Sequence, residues 1–413
     1  MNSVKRNSER IFKELINSHF TEKQALELGR LMKEDTTREV PLFSFTAKDK
    51  RQIETEFPKE NTFVSKIDQT ILFAREKLSN KNYLKFLLSV GKYELNEGDG
   101  NHSLEIFEML INASRGEKDG LVYRAEANLM IADVYRKRTK WAISLKYFGT
   151  SKEIFQKLND ENGLAKCSNM LGTLYGEIGN FRKSKSFFEE SLDLTTRTKN
   201  NEFRGKVEIN LGIINGIFGD YQKSRDYFTK ALKYFEKTGD KKRKAEIYNN
   251  LGMMDYSASN FELSLDEFNR SIDICLGINY FQLLGISFLG KAITFLKLKN
   301  LPLAIVFSDK ALTVCNKSGD RLSVADIYKV KGIIEREYGR YKESEMLLKT
   351  SLMMNIQLGN KLNEAETSVE LGKLFKLLNE NKKSAEMFRN AISYYKDQGG
   401  EEKLREIISY LNN

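Results

Sequence analysis

The chain has 413 residues, of which 30% are charged and 40% hydrophobic, and it carries a formal net charge of +10 with a pI near 9.1. This balance is typical of a soluble globular protein with a large core, and no apolar run approaches the roughly 18 residues that span a membrane. The polar N-terminus lacks the apolar stretch of a secretory signal and the three cysteines are scattered, so we expect a protein of the reducing cytoplasm.

Residues 1–80 lack the pattern that the rest of the chain follows. We expect helices at about Ser8–Asn17 and Thr21–Lys33. Thr21 is placed to cap the second helix, because Gln24 follows three residues later, as in a capping box. The spacing of apolar residues predicts a third, amphipathic helix at Val64–Leu78.

Between these helices, residues 35–62 contain Pro41 and Pro58 and are expected to form a loop or a short helix. Two short helices and a linker allow a helix-turn-helix head that binds DNA. However, Met1–Asp35 holds seven Lys or Arg against six Asp or Glu. Such a nearly neutral segment is a poor electrostatic match to a phosphate backbone, so a helical cap or a partner-docking bundle is favoured.

A 40-residue period organises residues 81–399. Its first mark is a small residue at one position of each copy: Gly91, Ala132, Gly172, Gly212, Gly252, Ala292, Gly332 and Gly372. A second small residue recurs twelve positions later: Ser103, Ser144, Ser184, Ser224, Ser264, Ala304, Ser344 and Ser384. Four positions further on, a large apolar residue recurs, with Ser308 as the exception: Phe107, Phe148, Phe188, Phe228, Phe268, Leu348 and Phe388.

These marks predict eight copies of a helix–turn–helix unit that buries its apolar face only by stacking on its neighbours. The first helix of each pair, the A helix, is expected to begin near Leu84, Ala125, Ala165, Gly205, Ala245, Gly285, Ala325 and Ala365. Turns such as Gly239-Asp240 and Gly359-Asn360 are expected to end the second helix, the B helix. Residues 400–413 are expected to form a capping helix that closes the stack.

The pattern resembles the tetratricopeptide repeat, whose Leu-Gly, Tyr, Ala and Phe positions are matched by Leu171-Gly172, Tyr175, Ser184 and Phe188. The period is 40 instead of 34 and the helix-ending Pro is missing, which longer helices and Gly-Asp turns account for. Such repeats are similar to those of kinesin light chains, Gly-Leu-Asn-type polarity adaptors and bacterial Rap-type peptide-sensing regulators. The resemblance implies an all-α, right-handed superhelical solenoid of about eight helix pairs, with a groove lined mainly by A helices.

Residues that suit catalysis or metal binding are sparse. The two histidines, His19 and His102, lie far apart and lack neighbours at metal-ligand spacing, and we find no phosphate loop, nucleophile elbow or CxxC pair. Cys275 and Cys315 occupy one repeat position and are expected in the core. We therefore expect a protein that is not an enzyme and uses no cofactor and no metal. Rap-type relatives accelerate dephosphorylation of a partner, but no residue here matches their acting residue.

Polar residues of the A helices form the candidate site. Asparagines recur about one turn before the small residue, although Asn is a poor residue inside a helix: Asn169, Asn210, Asn249 and Asn250. Their amides offer a donor and an acceptor to the main chain of an extended peptide, as the resemblance implies, or they bond neighbouring repeats together. Lys166 and Lys206 add positive charge one turn earlier. Acidic residues take that position in other repeats, so the groove is expected to be mixed in sign: Glu126, Glu246, Asp326 and Glu366.

One basic run, Lys241–Lys244, opens the fifth repeat. We interpret it as a solvated helix start, with a phosphate or nucleic-acid contact and a nuclear-import address as the alternatives. Positive charge at this end of a helix opposes the helix dipole.

The sequence therefore predicts a non-catalytic scaffold or adaptor that recognises a protein or peptide segment in the concave groove. The alternative is a bacterial peptide-responsive regulator, Rap-type or helix-turn-helix plus repeats, in which residues 1–80 act on DNA or on a response regulator. A DNA-binding head of three to five helices favours the regulator. Nucleic acid is the disfavoured partner, and the sequence names neither the ligand nor an oligomeric state.

Overall fold

The structure, a computed structural model, describes residues 2–34, 66–97, 100–117, 119–398 and 401–412. Across these ranges the chain is helical and contains no strand, which confirms the predicted all-α class. The chain divides into two compact units, Met1–Leu171 and Gly172–Asn413. Each unit has hydrophobic core clusters of its own.

Three helices precede the repeats: α1 (Asn2–His19), α2 (Glu22–Glu34) and α3 (Lys66–Lys77). They confirm the three predicted helices, although α1 begins well before the predicted Ser8. The predicted capping box is also confirmed, because the Thr21 N–H donates to Gln24 Oε1 at 2.9 Å and the Gln24 N–H donates to Thr21 Oγ1 at 3.4 Å. The loop or short helix predicted at 35–62 lies outside the described residues.

Eight helix pairs follow, as the period predicts. They are α4 and α5 (Asn80–Glu97, Gly100–Ala113), α6 and α7 (Gly120–Lys137, Trp141–Lys157), α8 and α9 (Glu161–Glu177, Phe181–Arg197), α10 and α11 (Asn201–Ile217, Tyr221–Thr238), α12 and α13 (Lys241–Ser257, Phe261–Ile278), α14 and α15 (Phe281–Lys297, Leu301–Ser318), α16 and α17 (Arg321–Glu337, Tyr341–Leu358), and α18 and α19 (Lys361–Leu377, Asn381–Gln398). A last helix, α20 (Glu401–Asn412), packs on α19. Ile407 of α20 is buried there, which agrees with a capping role.

The A helices begin about one turn earlier than predicted. The physical reason is capping: the residue before helix N1 accepts a hydrogen bond from the N–H of residue N3 and so satisfies an otherwise unpaired donor. Asp and Asn side chains do this at several starts: Asn200, Asp240, Asp320 and Asn360. The Gly-Asp and Gly-Asn turns therefore end one helix and also start the next.

The residue before each cap has a left-handed backbone at intervals of twenty residues, from Thr139 to Asn379. Glycine fills this position at six of the turns: Gly179, Gly219, Gly239, Gly319, Gly339 and Gly359. Such a residue ends a helix sharply, because the reversed φ turns the chain away from the helix axis. Equal spacing of these stops gives helices of nearly equal length.

Where the first small position is glycine, it faces the large apolar residue of its own helix pair. A Cβ added at Gly212 would lie 2.6 Å from the ring of Phe228, and one added at Gly172 would lie 2.6 Å from the ring of Phe188. No side chain larger than hydrogen fits there without displacing the ring. In these two helix pairs the aromatic ring thus packs directly on the backbone of the small residue.

The second small position forms a buried hydrogen bond that the sequence pattern does not predict. Ser224 Oγ donates to the Gly212 carbonyl oxygen at 2.7 Å, joining the B helix to the A helix of its pair. The same bond recurs in six other repeats, from Ser103, Ser144, Ser184, Ser264, Ser344 and Ser384. It explains why this chain uses Ser where the repeat family uses Ala.

Candidate functional site

Two neighbouring A helices of the second unit, α10 and α12, each leave one strip accessible to solvent, which we call the open face. On α10 the open face consists of Lys206, Asn210, Ile213 and Ile217. On α12 it consists of Glu246, Asn250, Met253 and Ser257. The spacing of four, three and four residues places each set on one side of its helix.

Four of the six predicted site residues lie on these two helices. Lys206, Asn210 and Asn250 belong to the open face, while Asn249 lies beside it. Lys166 and Asn169 belong to the first unit, on α8.

The side chain of Asn249 forms a hydrogen bond between neighbouring repeats. Its side chain is only 6% exposed, and its Oδ1 accepts a hydrogen bond from Ser287 Oγ of α14 at 3.0 Å. Ser287 in turn bonds Ser271 of α13 at 2.9 Å. This chain of hydroxyls and amides ties α12, α13 and α14 together, which is the second of the two roles considered for the asparagines.

Asn250 differs from its neighbour. It is half-buried, and its amide makes no side-chain hydrogen bond with any residue that the structure describes. Asn210 is half-buried at the equivalent position of the preceding repeat. Because consecutive helix residues are about 100° apart, Asn249 and Asn250 face different surroundings although they are adjacent in sequence.

The predicted site lysines are held in ion pairs. Lys206 Nζ lies 2.7 Å from Glu202 Oε1 of its own helix. In the first unit, Lys166 Nζ and Lys92 Nζ contact the two oxygens of Glu126, at 2.8 and 3.1 Å. Burial acts to raise the pKa of Glu126, but the two lysines outweigh it and hold the pKa below its ordinary value. Both surfaces are therefore mixed in sign, as predicted.

Further along the second unit, the A helices α16 and α18 carry charges that pair with one another. Lys329 Nζ lies 3.1 Å from Asp326 Oδ1. Arg336 and Lys373 both bind Glu370, at 2.8 and 2.9 Å. Burial acts to raise the pKa of Glu370, but the two cations outweigh it and lower that pKa. Since Lys329, Arg336 and Lys373 are held in ion pairs, the Asn250 amide on α12 is the more available contact.

Three members of the basic run, Lys241–Lys244, are likewise engaged. Lys242 Nζ lies 4.6 Å from the centre of the Tyr280 ring. Arg243 Nη1 is 2.6 Å from Glu246 Oε2, and Lys244 Nζ is 3.6 Å from Glu236 Oε1. Two of the four positive charges are therefore paired with carboxylates of the fold.

Within the described ranges no three His, Cys, Asp or Glu side chains converge in a way that holds a metal ion. The prediction that Cys275 and Cys315 are core residues is confirmed, since both are fully buried and burial raises the pKa of each thiol to about 11. For the same part of the chain, no helix has the length and apolar character needed to cross a bilayer.

The repeats match a known family. The tetratricopeptide-repeat family model matches residues 123–197 and 204–276. The structure continues the same helix pair through the other repeats. The predicted resemblance to tetratricopeptide repeats is confirmed over these matched residues, and the other helix pairs share their architecture.

Solved structures share the solenoid fold over most of their length. A Rap protein complexed with competence and sporulation factor has a TM-score of 0.63 and 13% identity, covering 86% of this chain and 97% of that one. The apo form of the quorum sensor NprR from B. thuringiensis has a TM-score of 0.59 and 14% identity, covering 84% and 94%. Aspartyl phosphate phosphatase F from Bacillus subtilis has a TM-score of 0.59 and 13% identity, covering 79% of this chain and 88% of that one. These identities are low, so the likeness shows the fold alone. Comparison with curated proteins gave no match.

Proposed function

We propose that the chain is a non-catalytic recognition scaffold whose second unit binds an extended segment of a peptide or protein across the open faces of α10 and α12. The observation that carries the proposal is Asn250, a mid-helix amide without a side-chain partner among the described residues. Asn is unfavourable inside a helix, and here no bond within the fold offsets that cost. A ligand main chain supplies both the donor and the acceptor that the amide needs.

The spacing of the two asparagines suits an extended ligand. Packed helices lie about 8–10 Å apart, and an extended chain advances about 3.3 Å per residue. One side-chain amide per repeat then meets the ligand about every three residues, with Asn210 and Asn250 as adjacent contacts. Lys206 on α10 remains a further candidate contact of the second unit, and Lys166 and Asn169 remain candidate ligand contacts of the first unit taken by itself.

The similar structures support recognition in a general way. One of them is a Rap protein in complex with competence and sporulation factor, and another is described as a quorum sensor. Those descriptions apply to those proteins. For this chain they favour a peptide or protein ligand over a small molecule or nucleic acid.

A second candidate is a peptide-responsive regulator, in which residues 1–80 act on DNA or on a response regulator when the repeats bind a peptide. One observation favours it: the match to the Rap protein covers 86% of this chain, which is more than the repeats at 81–399 occupy. A ligand-dependent change in amide hydrogen exchange within α1–α3 supports this candidate, and unchanged exchange there contradicts it.

The proposal is tested with Asn250→Ala and its matched control, Asn249→Ala. Peptides selected from a random display library on the full chain are used as ligands, and their affinities are measured by calorimetry. We expect Asn250→Ala to weaken binding by about 1–3 kcal/mol, because it removes bonds that form only with ligand. Its melting temperature should not change.

The control should behave in the opposite way. Asn249→Ala breaks the bond with Ser287, so we expect a lower melting temperature with peptide affinity retained. Loss of stability without loss of affinity in Asn250→Ala itself contradicts the proposed ligand contact.

A further inference from the structure

An aliphatic row crosses the second unit, one residue after the small A-helix position. Its members come from four consecutive A helices at 40-residue spacing: Ile213, Met253, Ile293 and Ile333. Ile213 and Met253 are 41% and 43% exposed, and the other two are half-buried. Thr173 and Lys373 take this position in the repeats on either side, so the row has polar ends. Exposed aliphatic surface in a regular line is unfavourable in water and becomes favourable when a ligand covers it.

Beside Ile213 and Met253, the two exposed members of the row, the nearest charges are paired within the fold. Asn210 and Asn250 lie one turn before Ile213 and Met253 on the same open faces. The nearest cation on α10, Lys206, is paired with Glu202 at 2.7 Å. A ligand that complements this surface is therefore uncharged where it touches the row, with apolar side chains over the aliphatic residues and its main chain near the amides.

The spacing of the row restricts the backbone of such a ligand. Neighbouring packed helices lie about 8–10 Å apart. In a β-strand, side chains three residues apart point to opposite faces, and those two apart are separated by only about 6.6 Å. In a polyproline II helix, every third side chain points the same way after a rise of about 9.3 Å, and no main-chain group is bonded internally. The second geometry matches the row and leaves carbonyls and N–H groups for Asn210 and Asn250.

We propose that the row selects an uncharged, polyproline-II-like peptide that bears a large apolar side chain at every third residue. This inference rests on the proposed peptide-binding function and names its ligand class. Four row residues correspond to about ten ligand residues at a rise of about 3.1 Å each.

The test uses two synthetic ten-residue peptides of identical composition, with four leucines in an uncharged Ala, Pro and Gln background. One carries Leu at positions 1, 4, 7 and 10, and the other carries Leu at every second position. Affinity for the full chain is measured by fluorescence anisotropy. We expect the first peptide to bind about tenfold or more tightly than the second, since only it seats successive leucines on the row.

Variants assign the preference to the row. Met253→Gln should weaken the first peptide by about tenfold, because it removes one apolar contact. Met353→Gln is the matched control, since Met353 is 54% exposed on the B helix α17, and it should leave binding unchanged. Equal binding of the two peptides, or tighter binding of the second, overturns the inference. If neither binds while library-selected peptides still depend on Asn250, the inference fails and the proposed function stands; if no peptide depends on Asn250, the proposed function fails.

Discussion

The serine twelve residues after the small A-helix position contributes a buried hydrogen bond. Ser224→Ala removes the bond to the Gly212 carbonyl while leaving a residue of suitable size. We expect a loss of about 0.5–1.5 kcal/mol in the free energy of unfolding, measured by urea denaturation with circular dichroism. Ala304→Ser is the reverse experiment and should be neutral or stabilising, because Ser144 already makes this bond to an alanine carbonyl, that of Ala132. An unchanged denaturation curve for Ser224→Ala contradicts this role.

The buried aromatic ring that six of the eight helix pairs contain carries a larger share of stability. Phe228 is only 1% exposed and faces Gly212, whose missing side chain gives the ring its space. Phe228→Ala should therefore leave a cavity and destabilise the protein by about 3–5 kcal/mol. Exposed Phe218→Ala should cost far less, and urea denaturation of the two variants measures the difference. Equal effects of the two substitutions would place Phe228 outside the core.

The sequence predicts residue types better than their surroundings. Small and aromatic residues recur at fixed positions because packing within one helix pair requires them. The 40-residue period alone therefore identifies these positions in the sequence. The separate environments of Asn249 and Asn250 depend on how the next repeat covers α12. That orientation is a property of stacking between repeats, and one sequence without its structure does not specify it.

At the scale of helices, the left-handed residues at the turns offer a stability gain. Thr139 has a φ of 56°, which is strained for a β-branched residue, whereas Gly219 holds the equivalent place at 75° without a side chain. Thr139→Gly should raise the free energy of unfolding by about 1 kcal/mol. Gly219→Ala should lower the free energy of unfolding by a similar amount. Denaturant titration of both variants measures the two changes. A destabilised Thr139→Gly shows that its side chain makes a compensating contact.

The predicted elements differ from the structure mainly at their starts and on their open faces. Capping residues such as Asp240 are of types that are common in turns, so the sequence pattern assigns them to the turn. The predicted A helices therefore begin one turn too late. The aliphatic row escaped prediction because apolar residues at helical spacing are read as core. Its signal was nevertheless present, since Ile213, Met253, Ile293 and Ile333 are aliphatic residues at one repeat position.

At the scale of the first unit, the N-terminal helices and the first repeat form one core. The buried rings of Phe20, Phe73 and Phe86 come from both sides of position 80, and the Phe20 ring centre lies 5.5 and 5.4 Å from the other two. His102 of α5 adds a polar link, with Nε2 3.0 Å from Asp68 Oδ1 and Nδ1 3.0 Å from Glu94 Oε2. Such a link holds α3 against α4 and α5 as long as the imidazole is charged.

That link should make the first unit sensitive to alkaline pH. The hydrogen bonds with Asp68 and then Glu94 raise the pKa of His102 from 6.5 to about 10. A histidine whose pKa is raised by folding stabilises the folded state fully at pH values below its pKa in the unfolded chain. This stabilisation is lost as the pH rises through its pKa in the folded protein. We therefore expect the melting temperature reported by Trp141, the single tryptophan, to fall between pH 6.5 and about 10.

His102→Gln should remove this dependence, because glutamine keeps polar contacts but does not titrate. His19→Gln is the matched control. Burial and then Lys85 lower the pKa of His19, so its titration affects stability at acidic pH and not at alkaline pH. The control should therefore keep the alkaline fall of the wild type. If His102→Gln follows the wild-type profile from pH 6.5 to 10, the charged imidazole does not hold α3 to the first repeat, and the shared aromatic core alone joins them.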